Sequence, residues 1–318
     1  METDTMKMNG DELWGCYQRI QPYIHHTPVL SSRLINEIAG AALYFKCENF
    51  QRMGAYKMRG ATNAILQLTP EEREKGVVTL SSGNFAQALS LAAQSLDVKA
   101  HIVMPSTAPE VKKRGVLEYG GIIYECEPTL EARNAKAKAI QEETGATFIH
   151  PSNDKNVILG QGTACLELLQ EYPDLNAVFA PVGGGGLIAG TAIAARYFGA
   201  DCKVIGAEPF EVDDAYRSFH SGKIESNTTT NTIADGLKTE LGNNTLPVIL
   251  EYVTDIVRVT EEEIVSAMRL IWERMKIVVE PSSAVALAGV LRDKAKYKGQ
   301  KVGIILSGGN VDLGKLPF

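Results

Sequence analysis

The sequence predicts an α/β protein with mainly parallel sheets covered by helices, and three observations carry that expectation. Short apolar runs rich in β-branched and aromatic residues alternate with helix-like stretches along almost the whole chain. That order builds parallel strands with helices on both faces. Capping-box spacings at Thr107-x-x-Glu110 and Thr260-x-x-Glu263 mark helix starts. Glycine-rich turns follow several of the strands, at 183–186 and 307–310 most visibly.

Taken in order, residues 11–23 read as a helix, broken between Pro22 and Pro28. Residues 42–47 read as a strand, and a helix starting near Arg59 runs to 68, stopped at Thr69-Pro70 because proline cannot continue it. Strands at 77–80, 100–104, 121–126 and 147–150 then alternate with helices at 85–96, from about 109, and at 131–143. The second half continues the alternation with a helix at 157–171, a strand at 177–182, a helix at 187–198 and a strand at 204–207. Residues 218–231 are polar and weakly periodic, the pattern of a mobile loop. The helix opened by Thr260 runs through 275, and 302–306 is the last strand.

At 318 residues the chain is long enough for two core-bearing units. A net charge of −6 argues against nucleic acid or an anionic membrane as partner. No apolar run approaches the ~20 residues of a membrane span, and residues 1–10 lack the apolar centre of a leader. Cys16, Cys47, Cys126, Cys165 and Cys202 form no C-x-x-C pair, which argues against a metal cluster or a disulfide framework. A reducing cytoplasm is the expected compartment.

The chemistry centres on Lys57, which sits in Gly54-Ala55-Tyr56-Lys57 between a glycine turn and a helix start. The positive end of the helix dipole disfavours the ammonium form and lowers its pKa. A lysine that is partly neutral can attack an aldehyde and form a Schiff base. Most lysines are merely solvated charges, so this one gains meaning from its company. Gly183-Gly184-Gly185-Gly186 lies between a strand and a helix. There, converging N–H groups and the helix dipole make a phosphate site, where the plainer alternative is a packing turn. Gly184-x-Gly186-x-x-Ala189, with Glu208 near the ribose-binding position, also fits a dinucleotide fingerprint. A nucleotide-binding sensor is therefore the non-enzyme alternative. The turn Ser81-Ser82-Gly83-Asn84 could hold a carboxylate on its N–H groups, and Ser307 sets a hydroxyl at the end of another strand.

Together these motifs resemble the fold-type II pyridoxal-phosphate enzymes, the tryptophan synthase β-like architecture, within the serine/threonine dehydratase group. His26-Thr27-Pro28, Gly54 to Gly60, Ser81 to Asn84, Gly183 to Leu187, Thr232 to Gly236, Trp272 to Lys276 and Leu306 to Leu313 carry the resemblance through nearly the whole chain. It implies a large cofactor domain from residues 1–76 and 149–318, and a small domain, 77–148, that closes over the substrate. It implies pyridoxal 5'-phosphate on Lys57, with Asn84 at the ring hydroxyl, Ser307 at the ring nitrogen, and Gly183, Gly184, Gly185, Gly186 and Leu187 at the phosphate. The turn from Ser81 through Ser82, Gly83 and Asn84 to Phe85 would grip the substrate carboxylate, with Arg133 assisting.

Within that group Ser82 discriminates. Racemisation needs a proton group on each face of the α-carbon, and racemases of the group place a serine here, where typical dehydratases have alanine. The resemblance thus implies interconversion of L- and D-serine by Lys57 and Ser82, with elimination of serine to pyruvate and ammonia as a second activity. A dedicated serine/threonine or 3-hydroxyaspartate dehydratase is the alternative, and the plainer role of Ser82 is to cap the following helix. By the same resemblance Glu208, Val212 and Asp214 would bind magnesium, calcium or manganese, hard cations suited by oxygen donors. Gln87, Tyr119, Lys276 and Asn310 match an ATP effector site, with Arg52 standing in for a lysine, and relatives are homodimers. Phe85-Ala86 replaces the usual His-Gly, Ala55 a common serine, and Ser152 an asparagine beside the cofactor.

Overall fold

Caps and glycines punctuate apolar runs, and each run takes the period its residues favour. The computed structural model describes residues 8–318, so residues 1–7, part of the segment read for a leader, lie outside the description. Asn9 closes a capping box with Glu12 over α1 (Gly10–Ile20). β1 (Val29–Leu30), α2 (Arg33–Ala39) and β2 (Ala42–Cys47) follow. Next come α3 (Lys57–Leu66) and α4 (Pro70–Lys75). β3 (Val77–Leu80), α5 (Asn84–Ser95), β4 (Ala100–Pro105), α6 (Glu110–Glu118), β5 (Ile122–Cys126), α7 (Leu130–Thr144) and β6 (Thr147–Phe148) then alternate. The remainder is α8 (Lys155–Glu171), β7 (Ala177–Pro181), α9 (Gly186–Phe198), β8 (Lys203–Pro209), α10 (Asp214–Ser221) and α11 (Thr245–Tyr252). β9 (Asp255–Val259), α12 (Glu261–Met275), α13 (Pro281–Arg292) and β10 (Lys301–Leu306) complete it.

Among the described residues the strands form two sheets, ordered β1-β2-β10-β7-β8-β9 and β5-β4-β3-β6. Every pairing is parallel except the edge pair β1–β2. Helices cover both faces of the larger sheet, and β7 shows why. Its Val178 and Ala180 point into the core with α1, α8 and α9, while Ala177 and Phe179 point into the core with α12 and α13. A strand buried on both sides must be apolar throughout, as the sequence of β7 is. In the smaller sheet Val77, Ile102 and Met104 pack with Met58, Ile65, Phe85 and Leu89, and Val78 and Val103 pack with Ala137 and Ile140. The helix bearing Lys57 is therefore part of the smaller sheet's core, although it precedes residue 77.

Several local expectations need correction. Thr69-Pro70 does more than stop α3, which ends at Leu66. It opens α4, with Thr69 and Glu72 in a reciprocal capping box and Pro70 at a position needing no N–H. Thr107 caps nothing: Pro109 is the N-cap of α6 and no side chain bonds there. The box at Thr260 and Glu263 is present. Residues 218–221 belong to α10, and Ser226 and Asn227 beyond it bond to Arg217, Asp214 and Glu240. Among the described residues no helix is long and apolar enough to cross a membrane.

Candidate active site

Four strand ends converge on Lys57. A bridge between Ala55 and Gly308 joins the turn after β2 to the turn after β10. The Tyr56 amide donates to the Ser307 carbonyl at 3.0 Å, and the Gly309 amide to the Gly54 carbonyl at 2.9 Å. Lys57 is the first residue of α3, and its Nζ donates to the Pro151 carbonyl at 2.8 Å. The neighbouring Ser152 sits against the tetraglycine turn so tightly that a Cβ on Gly184 would lie 2.3 Å from its Oγ, and one on Gly186 would lie 2.8 Å from its carbonyl oxygen. The lysine and the glycine loop, more than a hundred residues apart in sequence, thus meet adjacent residues, Pro151 and Ser152.

The lysine's pKa is lowered to about 8, by burial first, with the charge of Glu280 opposing the shift. The direction is the one expected from the sequence, and burial is its largest cause. Part of Lys57 still reaches solvent, but its amine lies among protein atoms, with the Tyr56 and Phe85 rings centred 5.1 and 5.7 Å away. Phe85 is buried against Lys57. His150 lies beside it as a neutral ring: burial and the Lys57 charge push its pKa down to about 4, and its Nδ1 accepts from the amides of Ser152 and Asn153.

The glycine turn has the form of an anion cradle. Gly185, the N-cap of α9, has φ +81°, a conformation that disfavours any side chain. No side chain caps α9, which leaves its first N–H groups open to a phosphate. Leu187 is buried in that first turn. Ser307 is buried at the end of β10. Asn84 opens α5 and bonds to Glu280 and Asn310. A phosphate-bearing aldehyde fits this arrangement: an amine, an anion cradle and two polar side chains at the strand ends.

In the turn at 81–85, Gly83 rather than Ser82 is the N-cap of α5, and no side chain caps that helix. Ser82 makes no hydrogen bond among the described residues, so its hydroxyl is not spent on a cap. Ser81 Oγ accepts from the Gly83 amide at 3.3 Å. Arg133 lies in the first turn of α7, its Nε buried and unpartnered, and it makes no bond to the 81–85 turn.

The expected metal ligands are both buried, but they are already occupied. Glu208 accepts from the amides of Ala215 and Tyr216 at 3.1 and 2.9 Å, and Asp214 from Asn227 Nδ2 and the Leu241 amide at 2.5 and 3.1 Å. Burial, then the Asp214 charge, holds the Glu208 pKa well above the usual carboxylate range, and burial raises Asp214 to about 6. Val212 is buried between them in sequence. Among the described residues no three His, Cys, Asp or Glu side chains are grouped so as to hold a metal ion. Of the effector positions, Asn310 bonds directly to Asn84, Gln87 faces Gly115 of α6, Tyr119 ends α6 and Lys276 ends α12. Arg52 bonds to the Tyr23 carbonyl and Ser95.

Glu280 is a site residue that the sequence does not reveal. A single acidic residue before a proline looks like an ordinary helix start, and its contact with Asn84 spans 196 positions.

This fold and site define a pyridoxal-phosphate-dependent enzyme. Residues 20–308 match the family described as pyridoxal-phosphate dependent enzyme, and the chain belongs to that family. It is 50% identical over 320 residues to serine racemase of Dictyostelium discoideum, covering 99% of this chain and 98% of the relative. It is 47% identical over 308 residues to the beta-hydroxyaspartate dehydratase of Paracoccus denitrificans, covering 97% of this chain and 98% of the relative. The crystal structure of the Dictyostelium discoideum serine racemase superposes with a TM-score of 0.92, covering 95% of this chain and 98% of that one. The architecture is the expected fold type II. The dinucleotide reading is overturned, since the chain belongs to an enzyme family and Glu208 is buried on backbone amides rather than free for a ribose.

Proposed function

We propose that the chain interconverts L- and D-serine and also eliminates serine to pyruvate and ammonia. The observation that carries this reading is the uncapped, unbonded hydroxyl of Ser82 in the turn leading to Asn84. The similarity to the racemase of Dictyostelium discoideum supports the substrate class.

Pyridoxal phosphate, when bound, supplies the electron sink that stabilises negative charge at the substrate α-carbon. Everything else falls to the chain. Lys57 anchors the cofactor and, with its pKa near 8, takes and returns the α-proton on one face. Ser82 serves the opposite face. Gly183 to Gly186 and Leu187 hold the phosphate, Asn84 meets the ring hydroxyl and Ser307 the ring nitrogen. A hydroxyl at that nitrogen, unlike a carboxylate, would not favour its protonation and so would moderate the sink. The turn from Ser81 to Phe85 binds the substrate carboxylate, and Arg133 reaches it when residues 77–148 close over the site as a small domain. The large domain is then 1–76 and 149–318.

Glu208, Asp214 and the Val212 carbonyl offer oxygen donors for magnesium, calcium or manganese. Two buried carboxylates with raised pKa values are a favourable place for a divalent charge. ATP as an effector at Gln87, Tyr119, Lys276 and Asn310, a homodimer and a cytoplasmic location complete the reading. A dedicated 3-hydroxyaspartate dehydratase is the second reading, favoured by the unpartnered Arg133 Nε, which could meet a second substrate carboxylate. The test is chiral chromatography of the purified holoenzyme on a panel of amino acids. D-serine together with pyruvate from L-serine supports the first reading, whereas elimination from 3-hydroxyaspartate with no racemisation of serine supports the second.

A further inference from the structure

We infer that Glu280 is a positioning residue for Asn84, fixing that amide with its nitrogen rather than its oxygen available to the cofactor ring. The inference rests on the cofactor reading above. Glu280 stands at the N-cap of α13, is only 4% exposed, and does not spend its side chain on capping its own helix. Both of its carboxylate oxygens accept from Asn84 Nδ2 at 3.0 Å, and the Asn310 amide also donates to it.

The other end of the Asn84 amide is held as well. Asn84 Oδ1 accepts from Asn310 Nδ2 at 2.9 Å, and the same nitrogen donates to the Met53 carbonyl at 2.9 Å. Asn310 has thereby committed both of its side-chain N–H groups. A flipped Asn84 would set oxygen against the buried Glu280 carboxylate and nitrogen against nitrogen at the exposed Asn310, leaving the buried carboxylate without its donor. Among the described residues Asn84 Nδ2 donates to Glu280 alone, so its second N–H remains as a directed donor. A pyridoxal ring oxygen carries negative charge and needs a donor, not an acceptor.

Glu280 has titratable neighbours on several elements: Asp235 after α10, Lys112 on α6, Lys57 on α3 and the neutral Tyr56 hydroxyl. Burial raises its pKa to about 7. A protonated carboxyl still accepts through its carbonyl oxygen, so the orienting role needs an acceptor rather than a charge.

The test compares holoenzyme of wild type, Glu280→Ala, Glu280→Gln, Asn84→Ala and the Glu280→Ala/Asn84→Ala double variant. It reads the bound cofactor's visible spectrum across pH and its dissociation constant. Glu280→Ala should weaken cofactor binding roughly tenfold, about the worth of one hydrogen bond, and move the apparent pKa of the visible band. Glu280→Gln, which keeps an acceptor, should stay near wild type. In the Asn84→Ala background Glu280→Ala should add nothing, because the partner it orients is gone. Unchanged spectrum and affinity in Glu280→Ala, or independent, multiplying effects in the double variant, would overturn the role. If Glu280→Ala does not fold, Glu280→Met fills the volume without an acceptor and replaces it in the same cycle. A wild-type protein that gains no visible band on adding cofactor overturns the cofactor reading itself, a result distinct from a band that forms and a cycle that adds.

Discussion

Arg59 and Glu167 face each other through two parallel hydrogen bonds, Nη1 to Oε1 at 2.8 Å and Nη2 to Oε2 at 2.7 Å, with almost no exposure of either side chain. Arg59 also bonds twice to Glu48, at 2.7 and 2.8 Å, and Lys46 bonds to Glu167 at 2.7 Å. Two cations and two anions therefore balance inside the protein, two residues along α3 from Lys57. Burial alone would raise the Glu167 pKa, but Arg59 and Lys46 bring it below the ordinary value.

Breaking that network should be severe. Glu167→Ala leaves Arg59 and Lys46 short of a buried partner and should cost about 3–5 kcal/mol, read from denaturant midpoints of the apo protein. The stability the group contributes is present above its unfolded-state pKa and is lost as pH falls through its depressed folded-state value. A loss within about 0.5 kcal/mol, the scale of a neutral surface change, would show that the network does not anchor α3.

The second prediction follows from the Lys57 pKa of about 8. At pH 7 such a lysine is neutral in roughly a tenth of molecules, against about one in three thousand for an unshifted lysine. Cofactor loading of the apo protein, followed by absorbance, should therefore speed up with pH and level off above about 8. A rate still climbing steeply at pH 9.5 would place the lysine in ordinary solvent. Because the folded state binds fewer protons between about 8 and the unfolded value, apo stability should also rise with pH across that window. Lys57→Ala should abolish racemisation and elimination together.

Much of this site can be read from the sequence because its parts are local. The tetraglycine, the Gly54 to Lys57 turn and the Ser81 to Asn84 turn each announce themselves within a few residues. So does the capping box at Thr260, where both partners are free to pair. Thr107 shares that spacing and fails because Pro109 takes the N-cap position. Pro70 reads only as an end because a proline that terminates one helix can equally start the next. α13 shows no period, since ten of its twelve residues are buried and a helix apolar all round has no face to reveal. Glu280, His150 and the Pro151 carbonyl act through contacts that only the folded chain creates.

A metal at the buried carboxylates has its own consequence. If a divalent cation binds Glu208 and Asp214, magnesium or calcium at a hundred times its dissociation constant should stabilise metal-free protein by about 2.7 kcal/mol. Glu208→Gln should abolish the response while leaving the visible cofactor band in place. Identical melting of chelated and metal-loaded wild type would show that no cation binds there.

The most direct test of the two-base reading is Ser82→Ala, with D-serine and pyruvate both measured from L-serine in the same samples. The variant should keep its cofactor, because Lys57, the glycine turn and Ser307 are untouched. Racemisation should fall by ~10²–10⁴-fold, the usual worth of a general acid–base group, while elimination of L-serine, served by Lys57, falls far less. Equal losses of both products, or a wild-type enzyme that yields pyruvate and no D-serine, would contradict the account.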